Sequence, residues 1–348
     1  MARGRGFKEY LGFGVESTNG TAVAATSWLK VLGNTPRVDR QPTEDPILRE
    51  DMATEVLYMA EGSGFDTNLR VNYEGHELLY HSLLGTYNFT DLTTAGLHTF
   101  TYNPTDTHDF LEGLTLYSNQ GLPTDPGVGD NDGIRIAGCL PTQCTWTFNA
   151  RDYLREAWTF EGAGHSWTPN QTPTFPTVVP VLGRHAGTTG GSAGAKIGFT
   201  AGTTNVSVRS GTITFAMPRD EDGYVYGNTV RPRMERTGPP VIEFEFECEM
   251  DDQTKGGKEL LEDIAGDSPG ASAPHELSIT HETGDNIPGH TGPYSWKITG
   301  NFYVFGQPAS VQDNGLVRFN LTGRFTYDSG GARPTVQLQN GTTTKVTS

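Results

Sequence analysis

At 348 residues with a formal net charge of −16, the chain has the length of about two domains of roughly 150 residues, and it repels a nucleic-acid backbone rather than neutralising it. Hydrophobic residues make up only 34%, with 44 glycines and 21 prolines, which excludes long helices and points to short strands joined by turns. Cys139, Cys144 and Cys248 are too few and too oddly numbered for a disulfide framework, and read as packed thiols.

Residues 1–20 read as an arm: Arg3, Arg5 and Lys8 supply charge, while Gly4, Gly6, Gly12 and Gly14 oppose regular structure. No apolar run follows the basic residues and no stretch approaches a membrane span, so a reducing cytoplasm is the expected folding compartment. Residues 35–52 are polar and proline-punctuated, the pattern of a long loop. From residue 65 to 73 the chain alternates, with Phe65, Leu69, Val71 and Tyr73 on one side and Asp66, Asn68, Arg70 and Asn72 on the other, as in a half-buried strand. GHELLYHSLLG at 75–85 then predicts a short amphipathic helix stopped by glycine. His76 and His81 are five positions apart, about 140° around such a helix, so a zinc site is not expected and both read as surface histidines.

Residues 168–204 are rich in Pro, Gly and Thr and read as a linker. The glycines before Lys196 lack the spacing of a phosphate-binding loop, and Ile197 stands where a magnesium-holding hydroxyl belongs. No nucleophile elbow occurs and no acid/base pair stands out among the dispersed carboxylates. The expectation is no enzyme, no cofactor and no metal.

Residues 241–266 carry the strongest pattern. Glu243, Glu245, Glu247 and Glu249 share one strand face, with Phe244, Phe246, Cys248 and Met250 on the other. A glycine turn then leads to KELLEDIAG, a short helix that must dock Leu260, Leu261 and Ile264 on a core. This unit repeats residues 65–85: Glu77, Leu78 and Leu79 answer Glu259, Leu260 and Leu261 at an offset of 259 − 77 = 182. The strand LHTFTY from Leu97 is matched to ELSITH from Glu276, and the segment from Arg135 to that from Lys297, at an offset of 297 − 135 = 162. The smaller offset is read as an extra loop, LYSNQGLPTDPGVGDNDG, in the first copy. The organisation is therefore an arm at 1–20, a first copy at 21–170, a linker at 171–204 and a second copy at 205–348.

Three stretches, GFGVESTNGTAVAATSWLKV at 12–31, FEFECEMDDQTKGGKELLEDIAG at 244–266 and KITGNFYVFGQPASVQDNGLVRFNLTGRFTY at 297–327, resemble the major tail tube proteins of long-tailed, siphovirus-type bacteriophages. The resemblance implies a mainly β structure of two tandem β-sandwich or half-barrel tail-tube domains, each with a short flanking α-helix. It further implies a structural virion protein whose rings, three doubled chains giving pseudo-sixfold symmetry, stack into the phage tail tube for genome delivery. The implied partners are other copies of the chain, the tape measure protein and linear double-stranded DNA transiently in the pore, and tail terminator and distal tail proteins at the ends. Synthesis and assembly would take place in the host cytoplasm, without a membrane.

Glu243, Glu245, Glu247, Glu249, Asp66, Asn68, Arg70 and Asn72 are then candidates for the pore lining, since a conduit should not hold phosphate. A solvated outer face is the other reading of the same period. Candidate inter-ring contacts are Arg3, Arg5, Lys8, Arg37, Arg40, Arg49, Arg219, Arg231, Arg233 and Arg236. Two other functions stay open: a glycan-binding or host-adhesion module using Trp146, Trp158, Trp167 and Trp296, and a capsid decoration or baseplate hub protein.

Overall fold

The computed structural model describes residues 10–44, 56–102, 113–119, 133–149, 152, 154–168, 196–199, 204–205, 208–219, 236–249, 275–305, 310–313, 316–326 and 333–346. They form a mainly β molecule with one short helix. The first repeat contains β1 (Tyr10–Val15), β2 (Ser27–Glu44), β3 (Val56–Arg70), α1 (Glu77–Leu84), β4 (Gly85–Asp91), β5 (Gly96–Tyr102), β6 (Leu114–Asn119), β7 (Gly133–Asn149), β8 (Arg155–Gly162) and β9 (Gly164–Thr168). The second contains β10 (Lys196–Phe199), β11 (Thr204–Asn205), β12 (Val208–Ala216), β13 (Val241–Glu249), β14 (His275–Asn286), β15 (Pro293–Val304), β16 (Ser310–Asp313), β17 (Leu316–Phe325) and β18 (Thr335–Asn340).

In the first repeat, antiparallel pairings run β1-β2-β3-β8-β7-β6 and return to β1, closing a six-stranded barrel. The second repeat follows the same order, β12-β13-β17-β15-β14-β10. There β12 turns outward and pairs with β7 of the first repeat, Ser210 opposite Asn149 through to Ala216 opposite Gln143. β9 and β18 hold equivalent places beside β7 and β15, and β18 pairs onward with β5. Two joints, β7–β12 and β18–β5, thus merge the repeats into one sandwich.

Strand periodicity decides what lies inside that sandwich. One layer sends in Phe65, Trp158, Trp146, Phe148, Ile213, Phe244, Phe246 and Leu321; the other contributes Phe100, Leu338, Trp296, Ile298 and Leu277. α1 lies between the layers rather than on the surface. Its residues are buried except for His81, which is partly exposed.

Buried polar ties bind α1 to both repeats. The Tyr80 hydroxyl donates to Glu156 Oε2 at 3.0 Å and accepts from Trp296 Nε1 at 3.1 Å. Asn340 Nδ2 donates to Glu77 Oε1 at 2.7 Å and to the Tyr73 carbonyl at 2.8 Å, while Asn340 Oδ1 meets His98 Nε2 at 3.2 Å.

Several expectations change. Residues 10–15 are a barrel strand, not part of an arm: Gly12 is there because a Cβ would come within 2.6 Å of the Trp28 ring. The segment from residue 35 is strand as far as Glu44, paired with β3; its prolines sit on an outer strand, where a lost N–H costs least. The extra loop begins with barrel strand β6, and β6, not β5, occupies the place of β14, because alternation shows a strand's faces but not its neighbours. β10 falls within the expected linker and β11 begins at its last residue, and β10 pairs with β14. His76 is buried, with Nδ1 against Glu156 Oε1 and Nε2 accepting the Asn72 N–H at 3.4 Å. The second expected helix, at 257–266, lies outside the described residues.

Removing the Tyr80 hydroxyl leaves two buried groups, Glu156 and Trp296, short of a hydrogen bond. Tyr80→Phe is therefore expected to cost about 2–4 kcal/mol in urea-unfolding free energy, without change of secondary structure by circular dichroism. A cost near zero would remove the tie from the account.

Candidate functional site

The large sheet β2-β3-β8-β7-β12-β13-β17 has a core face and a polar face, and the polar face runs unbroken through both repeats. Along it lie Asp66 and Asn68 of β3, Thr159 of β8, Gln143, Thr145 and Thr147 of β7, Thr212 and Thr214 of β12, Glu243, Glu245 and Glu247 of β13, and Asn320 and Thr322 of β17. At the middle of the β7–β12 joint, Thr145 Oγ1 and Thr214 Oγ1 meet at 3.3 Å.

The glutamate ladder is not a bare row of negative charge. β17 lies beside β13 with Arg324 opposite Glu243 and Arg318 opposite Glu249. Arg324 Nη2 reaches Glu243 Oε1 at 2.5 Å, and Arg318 Nη1 reaches Glu247 Oε1 at 3.3 Å. Ser210 Oγ donates to Glu247 Oε2 at 3.1 Å. Glu245, between them, faces Thr212 and Thr322 and makes no ion pair among the described residues. These pairs are half exposed and each adds little stability; their effect is to balance the charge of the face. The sequence reading missed them because cross-strand pairing from a segment some 80 residues away is invisible in a period-two pattern.

Of the first-repeat candidates, Asp66 and Asn68 lie on the polar face, Asp66 bridged to Arg37 Nε at 2.8 Å. Arg70 shares it opposite Arg155. Asn72 does not: β3 ends at Arg70, and Asn72 is buried in the turn into α1, where its N–H serves His76. The two strands therefore differ in charge but share one face.

The basic candidates separate. Arg37 pairs within the chain, through Nη2 with Glu161 Oε1 at 2.6 Å and through Nε with Asp66. Arg219 closes the joint between repeats, donating from Nε to the Pro141 carbonyl at 3.1 Å. Burial, and secondarily the charge of Arg236, brings its pKa down to about 10. Arg236 lies over the Tyr102 ring and donates to its hydroxyl at 3.3 Å. Arg3, Arg5, Lys8, Arg49, Arg231 and Arg233 lie outside the described residues, as do the side chains of Arg40 and Glu249.

Nothing described assembles a catalytic centre. The three cysteines are free and buried, and burial pushes all three thiols up, Cys248 to about 12. No cluster of three or more metal-ligating side chains occurs among the described residues, and no described helix is long and apolar enough to cross a membrane. Trp146, Trp158 and Trp296 are core residues, which leaves Trp167, at 58% exposed, as the one member of the glycan-stacking set on the surface.

A duplicated antiparallel sandwich with a continuous polar sheet face and no reactive centre among the described residues is the form of a structural assembly protein. The sequence matches the family model described as phage tail tube protein over residues 6–324, and the chain belongs to that family. No curated protein matches it significantly. Family membership makes the chain a self-assembling structural component of a phage virion.

The buried thiols, with Tyr80 and Tyr73 also raised by burial, give a pH dependence. Each is neutral in the folded chain and ionises more easily once unfolded. Their contribution is full below about pH 8.5, the ordinary thiol value, and is lost as pH rises toward the folded values. The urea midpoint is expected to fall steadily between about pH 9 and pH 11; a flat midpoint over that range would contradict it.

Proposed function

We propose that three copies of this chain close into a pseudo-sixfold ring whose lumen is lined by the polar face of the large sheet, and that the rings stack into a tail tube. One observation carries this reading: both repeats contribute equivalent strands to one sheet, β2-β3-β8-β7 and β12-β13-β17-β15, joined edge to edge. A chain that already joins two such units by an edge is built to add more by the same route.

The lining then comprises Asp66, Asn68 and Arg70 from the first repeat and Glu243, Glu245, Glu247 and Glu249 from the second, with threonines between them. Linear double-stranded DNA passes over hydroxyls and neutralised carboxylates, with Glu245 as the carboxylate least offset by a neighbouring cation. During assembly the lumen holds the tape measure protein, and tail terminator and distal tail proteins cap the ends. Arg3, Arg5 and Lys8 reach acidic surface on a neighbouring ring. Assembly takes place in the host cytoplasm before the tube becomes part of the virion.

Negative-stain microscopy of the assembled protein tests the ring: hollow, stacked rings of three chains are expected, and rings of six chains or unassembled globules would overturn the reading. For the lining, Glu245→Lys should leave tubes intact and slow genome delivery, most at low salt, because a cation on the wall holds passing phosphate. Normal delivery at low salt would put this face on the outside of the tube.

A further inference from the structure

Past β18 the chain turns back over the first repeat. Residues 341–346 cross the β4–β5 hairpin outside any strand, and first-repeat side chains hold them there. The Tyr87 hydroxyl accepts the Val346 N–H at 3.2 Å, and Lys345 Nζ lies over the Tyr87 ring at 5.5 Å. The Gly341 N–H donates to the Glu74 carboxylate, and the Thr342 carbonyl accepts from His98. Gly96 leaves the room: a Cβ there would come within 2.0 Å of the Thr342 carbonyl oxygen and 3.0 Å of His98 Nε2.

His98, fully buried beneath this segment, belongs to a hydrogen-bond chain whose direction is fixed throughout. Asn340 Nδ2 donates to the Tyr73 carbonyl at 2.8 Å and Asn340 Oδ1 accepts the Thr342 N–H at 2.9 Å, so its amide cannot be reversed. His98 Nε2, 3.2 Å from that Oδ1, therefore carries the ring proton. Nδ1 is then bare and accepts from the Tyr87 hydroxyl at 2.8 Å, which leaves the Tyr87 oxygen free to accept from Val346. A second ring proton, at Nδ1, turns that acceptor into a donor. Tyr87 would then accept from both Nδ1 and Val346 and lose the acceptor for its own hydrogen.

We infer that residues 341–346 form a pH-sensitive strap between the repeats, closed over neutral His98 and released when His98 takes up a proton.

The charges around the ring set the direction. Burial holds the His98 pKa below its ordinary value, against the opposing pull of Glu77, the Thr342 carbonyl and Asn340. The imidazole therefore takes up a proton more readily with the strap open. Closure is favoured in full above about pH 6.5, the ordinary histidine value, and is lost as the pH falls below it. Lys345 on the strap adds a second cation against a protonated ring, and His81 of α1, whose ring is 5.3 Å from that of Tyr87, lies on the same side. Glu74 acts in the opposite sense: burial raises its pKa, the Gly341 N–H lowers it and Glu77 raises it, so its contribution to closure is present in acid and lost as pH rises. Tyr87 and Tyr294 are raised by burial and stay protonated throughout this range.

The test places a nitroxide label at Thr344→Cys, an exposed strap position, in the full chain, whose described cysteines are buried. The label should be ordered at about pH 7.5 and reversibly mobile at about pH 5, with a midpoint below about pH 6.5. Circular dichroism should show the sheet intact across that range. His98→Gln, which has no titrating ring, should abolish the transition, and Glu74→Gln should keep it. Tyr87→Phe, which lacks the acceptor for Val346, should leave the label mobile already at neutral pH. Constant label mobility in the parent chain would overturn the strap, as would sheet loss accompanying the mobility. An unchanged transition in His98→Gln, or its disappearance in Glu74→Gln, would also overturn it. Should His98→Gln not fold, Tyr87→Phe decides: a label as ordered at neutral pH as in the parent would overturn the proposal.

Discussion

The antiparallel pairing of β7 with β12 is the contact on which the rest of the structure depends. β7 is long enough to belong to two sheets. Its first half closes the barrel against β6 and carries β9, and its second half lies between β8 and β12. Without the joint the second repeat would be an open ladder, its Ile213 and Phe215 row exposed along an edge. With it, the two repeats share a core in which Trp146 packs on Trp296 and Phe148 on Phe246 across the boundary. The polar ties through Tyr80 and Asn340 belong to the same boundary. α1 is a first-repeat helix, and its Tyr80 and Glu77 bond to Trp296 and Asn340 of the second repeat.

Much of this was legible in the sequence, for physical reasons. Alternation in residues 65–69 and 241–248 gave the faces correctly, because one side of each strand is core and the period of two leaves no latitude. The helix at 77–84 was legible from its apolar spacing and the glycine that follows. Three things were not legible. Glycine at 12 and 14 read as disorder when it is demanded by close packing on Trp28 and on the Ala24 carbonyl. His76 read as a surface residue because nothing local announces Glu156, eighty positions away. The cations beside the glutamate face were missed because Arg318 and Arg324 come from another strand. Each miss concerns what lies beside a residue across the sheet, which the period along a strand does not encode.

A uniformly acidic wall would repel DNA but would also repel its neighbours within the subunit, at a cost in stability. Pairing Glu243 and Glu247 with arginines lowers that cost and keeps the cations engaged. Where the repeats meet, the face is threonine on threonine, neutral and hydrogen-bonded to itself. Hydroxyl pairing at the joint and charge compensation away from it have one physical result: a polar face whose charges are largely balanced within the chain.

An open sheet edge is normally a hazard, because any exposed strand can capture it. Here the hazard is restricted by local chemistry. On β2, β1 covers the edge up to Lys30 and Pro36 removes a donor just past Thr35, so that among the described residues a window of a few positions around the Leu32 bulge is paired on one side. On the other side, Gly323 packs so closely under Phe244 and the Tyr303 carbonyl that a Cβ would come within 2.5 Å of either, which fixes the path of the β15 end. A short window and a fixed path favour one register over slippage. The internal β7–β12 joint has no such restriction because its two strands are tethered in one chain and cannot meet the wrong partner.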